Sequence, residues 1–214
     1  MNKFFEKIKS IVDKAKPIID KAKKHNDIIV PTAVLTVICI VVTLALSSAN
    51  LLTETKIKKL AEEKQNQTMS KLIVDADFVP CDTNNDKQVD YYIAKKDGKS
   101  IGLIIITNAK GYSGGVVSVM SAIDTEGALI AVEILAAADE TPGLGQNVTK
   151  AEWLAQFVGL KDKITVIKGG TANSDNDEIN AVTGATISSK AVSSAVNQAL
   201  NYAKEIIAKG DELK

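Results

Sequence analysis

The chain has 214 residues, of which 45 % are hydrophobic and 4 % aromatic, and its 26 basic side chains, all lysine, balance 26 acidic ones. This length allows one domain plus a remainder, and the lack of arginine removes the guanidinium that proteins prefer for bidentate phosphate recognition, so we expect no nucleic-acid partner. The zero net charge averages two unlike parts, since residues 1–49 hold 8 lysines and 4 acids while residues 50–214 hold 18 lysines and 22 acids.

Residues 1–27 are predicted to form a basic amphipathic segment on the cytoplasmic side of a membrane. Apolar residues recur there at three- and four-residue steps with lysines between them, and Pro17 predicts a kink. Such a helix can lie on anionic membrane lipid or dock against a partner subunit, and the sequence leaves both open. His25, the chain's one histidine, is interpreted as a solvated polar residue.

Residues 28–49 are predicted to be a transmembrane helix. The 22 residues carry no charge and as a helix would rise roughly 33 Å, against a hydrocarbon core of about 30 Å. A cleaved signal peptide is the alternative, but the 27-residue leader favours a retained anchor. Lysines are concentrated before the span, so the positive-inside rule predicts a cytoplasmic N-terminus and an extracytoplasmic C-terminal domain.

The histidine and cysteine counts exclude several kinds of chemistry. A histidine on the far side of the membrane cannot serve a Ser-His-Asp machine or a metal site in the folded domain. Cys39 lies in the span and Cys81 beyond it, so we expect neither an intramolecular disulfide nor an iron–sulfur cluster, and no metal site.

Beyond the span we predict a stalk helix over residues 50–73 and an α+β domain over residues 74–214. The short spacing of the strand-like runs indicates an antiparallel sheet built from hairpins, and helical periodicity at the end indicates a long C-terminal helix. The predicted elements are strands at Val89–Lys95, Ser100–Thr107, Val116–Ile123, Ala128–Leu135 and Lys163–Ile167, a short helix at Ala151–Phe157, a loop at Gly169–Glu178 and the long helix from Ile187.

A group of small and hydroxyl-bearing residues marks the start of the long helix. The unpaired first-turn N–H groups and the positive end of the helix dipole make this a possible phosphate site that needs no arginine. Ordinary helix capping by one of two threonines, Thr183 or Thr186, is the alternative interpretation. The residues concerned are Thr183, Gly184, Ala185, Thr186, Ser188 and Ser189.

Two glycine-containing loops precede this helix. In the second, Thr141-Pro142-Gly143, proline fixes one φ angle and glycine permits a positive one, so that backbone can lie flat against a ring system. Taken alone, each loop is also typical of a surface turn. We interpret Glu140 as an acceptor that orients its loop rather than as an acid or base. The loops are Gly111-Tyr112-Ser113-Gly114-Gly115 and Glu140-Thr141-Pro142-Gly143-Leu144-Gly145.

Together, the Thr183–Thr186 tetrapeptide and the two loops, in this order, resemble the FMN-binding domain family. In that family a flavin transferase attaches FMN through a phosphoester to the last threonine of the motif, so the resemblance implies that Thr186 holds FMN covalently. Residues 135–139 depart from the family pattern, since relatives often carry a histidine and a lysine before the glutamate. The resemblance implies a flavin site made of Thr183, Gly184, Ala185, Thr186, Ser188, Ser189, Glu140, Thr141, Pro142, Gly143, Leu144, Gly145 and Tyr112.

With one span and one such motif, residues 28–205 are most similar to the G subunits of Rnf complexes, which move electrons between ferredoxin and NAD and couple them to Na⁺ or H⁺ transport. The resemblance implies an electron-transfer subunit without a complete active site of its own. Its expected partners are membrane and peripheral subunits, including a second flavin-bearing subunit and iron–sulfur subunits, and a flavin transferase. The alternatives are a stand-alone membrane-anchored extracytoplasmic flavoprotein reductase and a non-redox anchor in which Thr186 only caps a helix.

Overall fold

In a computed structural model the chain is described over residues 29–81 and 90–209, so the predicted amphipathic segment at residues 1–27 lies outside the described residues. The chain divides into two compact units, residues 1–61 and residues 62–214.

The first helix, α1, covers Ile29–Leu72 and runs without a break through both the predicted span and the predicted stalk. Pro31 is tolerated because it lies in the first turn, where its missing N–H has no helical partner. Among the described residues, α1 is the helix long and apolar enough to cross a membrane, with an 18-residue window of mean hydropathy 2.7. A long apolar helix at the N-terminal side of the domain is therefore confirmed.

The second unit is built on a five-stranded antiparallel sheet in the order β1-β2-β3-β4-β5. The hairpins β2-β3 and β4-β5 turn at Asp97-Gly98 and at Gly127, where the backbone adopts positive φ. The strands β2 to β5 correspond to predicted ones, whereas β1 was not predicted. The bounds are Asp77–Cys81 for β1, Asp90–Lys96 for β2, Lys99–Lys110 for β3, Val116–Asp124 for β4 and Leu129–Ala136 for β5.

Both faces of the sheet are covered. The long C-terminal helix, here α3, covers Thr186–Lys209 and buries its small residues, including Ala195 and Ala199, against one face. Small side chains let the helix approach closely enough for the buried Thr107 Oγ1 to donate to the Ala195 carbonyl at 2.8 Å. On the other face, Met69 packs near the end of α1 in a second apolar cluster with residues of β3 and β4. The α+β class, with an antiparallel sheet and a long C-terminal helix, is therefore confirmed.

A smaller set of elements fills the connection between β5 and α3. Helix α2 covers Ala151–Leu154 and continues as a 3₁₀ turn, in agreement with the predicted short helix. Strand β6, Thr165–Ile167, pairs in parallel with β7, Glu178–Asn180. The predicted loop at Gly169–Glu178 is wrong at its end, because Glu178 begins β7 and a 3₁₀ turn precedes it.

This parallel pair positions the start of α3. The Ala181 N–H donates to the Ile167 carbonyl at 2.9 Å, so the residues that follow β6 lie beside the residues that lead into α3. The side chain of Asn197, on α3, accepts from the Ile164 N–H and donates to the Ile164 carbonyl, which fixes the entry to β6 against the helix. The segment after β6 and the segment before α3 are thus held side by side near the start of the helix, while Asn197 holds the entry to β6 midway along it.

Candidate functional site

The turn before α3 places Thr186 as the first residue of the helix. Gly184 has φ +76°, a conformation that favours glycine, and the Ala185 N–H donates to the Val182 carbonyl. The Ser189 N–H donates to the Ala185 carbonyl at 2.9 Å, which closes the first turn. Ala185 is therefore the N-cap residue of α3, and it has no polar side chain that could accept from the first-turn N–H groups.

Neither threonine caps the helix. In the described part of the chain, the hydroxyls of Thr183 and Thr186 make no hydrogen bond, whereas the Ser189 hydroxyl accepts from the Val182 N–H and donates to the Ala185 carbonyl. The N–H groups of the first helical turn have no partner within a helix, and they carry the positive end of its dipole. The Thr186 hydroxyl and these donors are consequently available to a ligand.

Glu140 ties three segments of the site together. Its side chain is only 2 % exposed, with Oε2 accepting from the Ser188 hydroxyl at 2.5 Å and Oε1 accepting from the Tyr112 N–H at 2.8 Å. A Cβ on Gly145 would overlap Oε2, and a Cβ on Gly111 would overlap Oε1. The carboxylate therefore needs glycine at both positions, and it links both loops to the start of α3.

A cavity of about 480 Å³ opens at this point. Its wall combines apolar side chains with backbone and hydroxyl groups from both loops and from the first turn of α3. The lining consists of Tyr112, Thr141, Leu144, Gly145, Lys168, Gly184, Ala185, Thr186, Ile187 and Ser188.

Five of the predicted site residues lie outside this lining. Pro142 and Gly143 are exposed in the turn between Thr141 and Leu144, and Thr183 is exposed beside a neighbouring cavity lined in part by Trp153. Glu140 and Ser189 are buried and hydrogen-bonded within the site's framework, as described above. The structure thus brings the two loops and the tetrapeptide together. Some of their residues line the cavity, and others lie in the turns or hold the surrounding framework in place.

Lys168 and Ile187 line the cavity without having been predicted as site residues. Ile187 is 54 % exposed, although its apolar spacing groups it with the buried positions of the helix, so sequence periodicity alone does not indicate that it lines a cavity. Lys168 reaches the site through the parallel pairing of β6 with β7, and parallel pairing of two three-residue strands leaves no local sequence signal.

These residues fit a planar cofactor that bears a phosphate. The volume lies within the roughly 300–1,000 Å³ typical of ligand sites. Tyr112, Leu144 and Ile187, each about half exposed, offer an apolar wall for a ring, and the helix start offers N–H donors for a phosphate. The described residues contain no group of His, Cys, Asp and Glu side chains that could hold a metal ion.

Comparison with known proteins agrees with this geometry. The model of the FMN-binding domain family matches residues 111–201, a range that includes every residue lining the cavity. The fold, the cavity and this match define a protein with an FMN-binding domain.

Relatives narrow the class to one family. The G subunit of the proton-translocating ferredoxin:NAD⁺ oxidoreductase complex of Clostridium ljungdahlii is 35 % identical over 179 residues, which cover 83 % of this chain and 92 % of the relative. The G subunit of the Na⁺-translocating complex of Acetobacterium woodii is 37 % identical over 114 residues, covering 52 % of this chain and 54 % of the relative. The chain belongs to the family of G subunits of Rnf complexes, as its sequence motifs predict.

A solved structure is also similar. The crystal structure of NqrC from Shewanella oneidensis aligns with a TM-score of 0.47 and 23 % identity, covering 55 % of this chain and 61 % of that chain.

Proposed function

We propose that this chain carries FMN through a phosphoester to Thr186 and relays electrons in a membrane complex that couples ferredoxin:NAD oxidoreduction to Na⁺ or H⁺ translocation. The observation that carries the proposal is the Thr186 hydroxyl, which has no hydrogen bond among the described residues and lines the cavity at the first residue of α3. Thr186 is also the last residue of the tetrapeptide that resembles the family's attachment motif.

Different residues of the site would hold the phosphate and the ring of FMN. The first-turn N–H groups of α3 would donate to phosphate oxygens, and Gly184 would let backbone approach the phosphate closely. Leu144 and Ile187, which line the cavity, would cover part of the ring, while Glu140 fixes Ser188 and the Tyr112 loop beside it. When bound, FMN supplies a centre that accepts and releases one or two electrons.

The chain's role in ion transport is inferred from its apolar span. Residues 29–49 of α1 hold no charged side chain, so we assign the ion pathway through the membrane to partner subunits. We assign the oxidation of ferredoxin and the reduction of NAD to those partners as well, including subunits with iron–sulfur clusters and a second flavin. The two relatives described above are named for different coupling ions, and the choice of ion rests with the assembled complex.

We also assign the flavin domain to the extracytoplasmic side, with the N-terminus in the cytoplasm and the amphipathic segment against lipid or a partner. The support is the lysine excess before the span. A covalent linkage suits this location, because a flavin released outside the cytoplasm would be lost by diffusion. A flavin transferase would install it.

Flavin fluorescence on a denaturing gel tests the attachment. The full chain, co-produced with a flavin transferase, should give a band that fluoresces under ultraviolet light. Thr186→Val should abolish this fluorescence because it removes the hydroxyl while keeping the side-chain shape. Thr165→Val, the same change at an exposed position of β6 outside the cavity, should leave the band unaltered.

Four results would contradict parts of the proposal. A native band without fluorescence, or a fluorescent Thr186→Val band, would end the assignment of a covalent flavin to Thr186. A flavin that leaves on denaturation would show non-covalent binding. A purified chain that catalysed full electron transfer alone would favour the stand-alone reductase, whereas a complex subunit should co-purify with multi-span membrane proteins.

A further inference from the structure

We propose that Lys168 is a cofactor-binding residue of this site, whose ammonium group pairs with the phosphodiester that joins FMN to Thr186. The proposal rests on the function proposed above and adds to it the group that balances the phosphate charge. Lysine at this position was not among the residues that the sequence motifs indicated.

The strand pairing is the first support. Lys168 directly follows β6, and β6 pairs in parallel with β7, which leads through residues 181–185 into α3. The hydrogen bond from the Ala181 N–H to the Ile167 carbonyl holds these two strand ends side by side. Lys168 and Thr186 consequently line the same cavity although 17 residues separate them along the chain.

The charges around the cavity are the second support. Lys168 is the one basic residue among the described residues that line this cavity, and in the described part of the chain its side chain makes no ion pair or hydrogen bond. The carboxylate behind the cavity, Glu140, already accepts from Ser188 and Tyr112. The ammonium group is thus free to meet an anion inside the cavity.

The chemistry of the ligand is the third support. A phosphodiester keeps one negative charge at neutral pH, and the N-terminus of a helix offers a partial positive charge of about half a unit. The chain has no arginine, so lysine is the side chain left to complete the neutralisation, as it does in other phosphate sites. A cation at the phosphate also favours electron uptake by the attached flavin through its long-range field.

The test compares full-length, flavin-loaded protein in detergent with Lys168→Gln, Lys168→Arg and Lys190→Gln variants. Lys190 is a matched control, because it is an exposed lysine in the second turn of α3 that lines a neighbouring groove instead of this cavity. The readouts are the ³¹P resonance of the phosphodiester and the midpoint potential of the flavin, at low and high salt.

Lys168→Gln should shift the ³¹P resonance and lower the midpoint potential, and high salt should reduce the difference from the native protein. Lys168→Arg should keep native values, and Lys190→Gln should leave the resonance in place. A ³¹P resonance unmoved by Lys168→Gln would overturn the pairing, even if the potential fell. If the native protein carried no covalent flavin, the function proposed for Thr186 would fail instead, so the two failures are distinguishable.

Discussion

At the scale of single residues, two glycines of the site are needed because a side chain packs closely against their backbone, and not because the chain turns there. Gly111 and Gly145 stand on either side of the Glu140 carboxylate, where any side chain would overlap one of its oxygens. By contrast, Gly143 and Gly184 adopt positive φ and serve the turns themselves. Glycine is therefore needed at these positions for two different physical reasons.

Gly145→Ala should destabilise the protein by about 1–3 kcal/mol, the usual range for overpacking a buried site. The new methyl group would overlap Glu140 Oε2 and lie 2.8 Å from Ser188 Oγ, so the hydrogen bond between these side chains would have to shift. Urea unfolding of the full chain in detergent, followed by the fluorescence of its single tryptophan, Trp153, measures this change.

Gly170→Ala is the control for this substitution. Its backbone has no positive φ, and the nearest atom to an added Cβ would be the side-chain Cγ2 of Ile167 at 3.2 Å. We expect an effect within about 0.5 kcal/mol, as for most surface changes. An equal loss of stability in both variants would show that the Glu140 contacts do not make Gly145 special.

Thr186 and Lys168 both line the cavity, but the sequence predicts only Thr186 as a site residue. Thr186 is predicted because its tetrapeptide and its periodic helix are both local patterns. Lys168 enters the cavity through a parallel pairing between strands whose starts are 13 residues apart, which no short pattern encodes. The buried position of Glu140 is likewise a product of two loops and a helix meeting in space.

At the scale of elements, the strands β2 to β6 were predictable, whereas β1 and β7 were not. Strands β2 to β5 alternate or continue apolar residues between clear turn signals, so their positions follow from the sequence. Strand β1 is an edge strand with Pro80 near its end, and β7 has three residues of which Ile179 is the apolar one. Such short or proline-containing strands form because neighbouring strands offer them hydrogen bonds.

An ion pair adds to the contacts between α3 and the segment before β6. Lys204 Nζ donates to Asp162 Oδ1 at 2.8 Å. This hydrogen bond, reinforced by the positive charge of Lys204, lowers the pKa of Asp162 from its ordinary value, while partial desolvation opposes the shift. Because both side chains are largely exposed, we expect the pair to affect titration more than stability.

Lys204→Met should return the pKa of Asp162 towards its ordinary value. A carboxylate with a lowered folded pKa stabilises the fold above the unfolded pKa, near 3.9, and loses that contribution as the pH falls through the folded pKa. The variant should therefore differ from the native protein in the acid limb, below about pH 4, and NMR titration of the ¹³C-labelled carboxyl group measures the pKa directly.

Lys209→Met provides the comparison, since it removes an exposed lysine from the last residue of the same helix. We expect the Asp162 titration to keep its native midpoint in this variant. If both variants moved the midpoint equally, the overall charge rather than the specific contact with Lys204 would set the pKa.

At the scale of the whole molecule, the charge distribution favours one orientation in the membrane. Residues 1–49 carry a net charge of +4 and residues 50–214 a net charge of −4, from the lysine and acid counts given above. Basic segments are retained in the cytoplasm, so the flavin domain is proposed to face the opposite side. The same orientation would make electron delivery to the flavin depend on partner subunits that span the membrane.

Cysteine labelling in intact cells tests this orientation. In a Cys39→Ala, Cys81→Ser background, Asn201→Cys places a thiol on an exposed position of α3, and Ser10→Cys places one before the span. A membrane-impermeant maleimide should label Cys at 201 in intact cells, because the proposed location of α3 is outside the cytoplasm. Cys at 10 should react with the same reagent only after the cells are lysed. The opposite pattern would place the flavin domain in the cytoplasm, where loss of a released flavin by diffusion would no longer explain a covalent linkage.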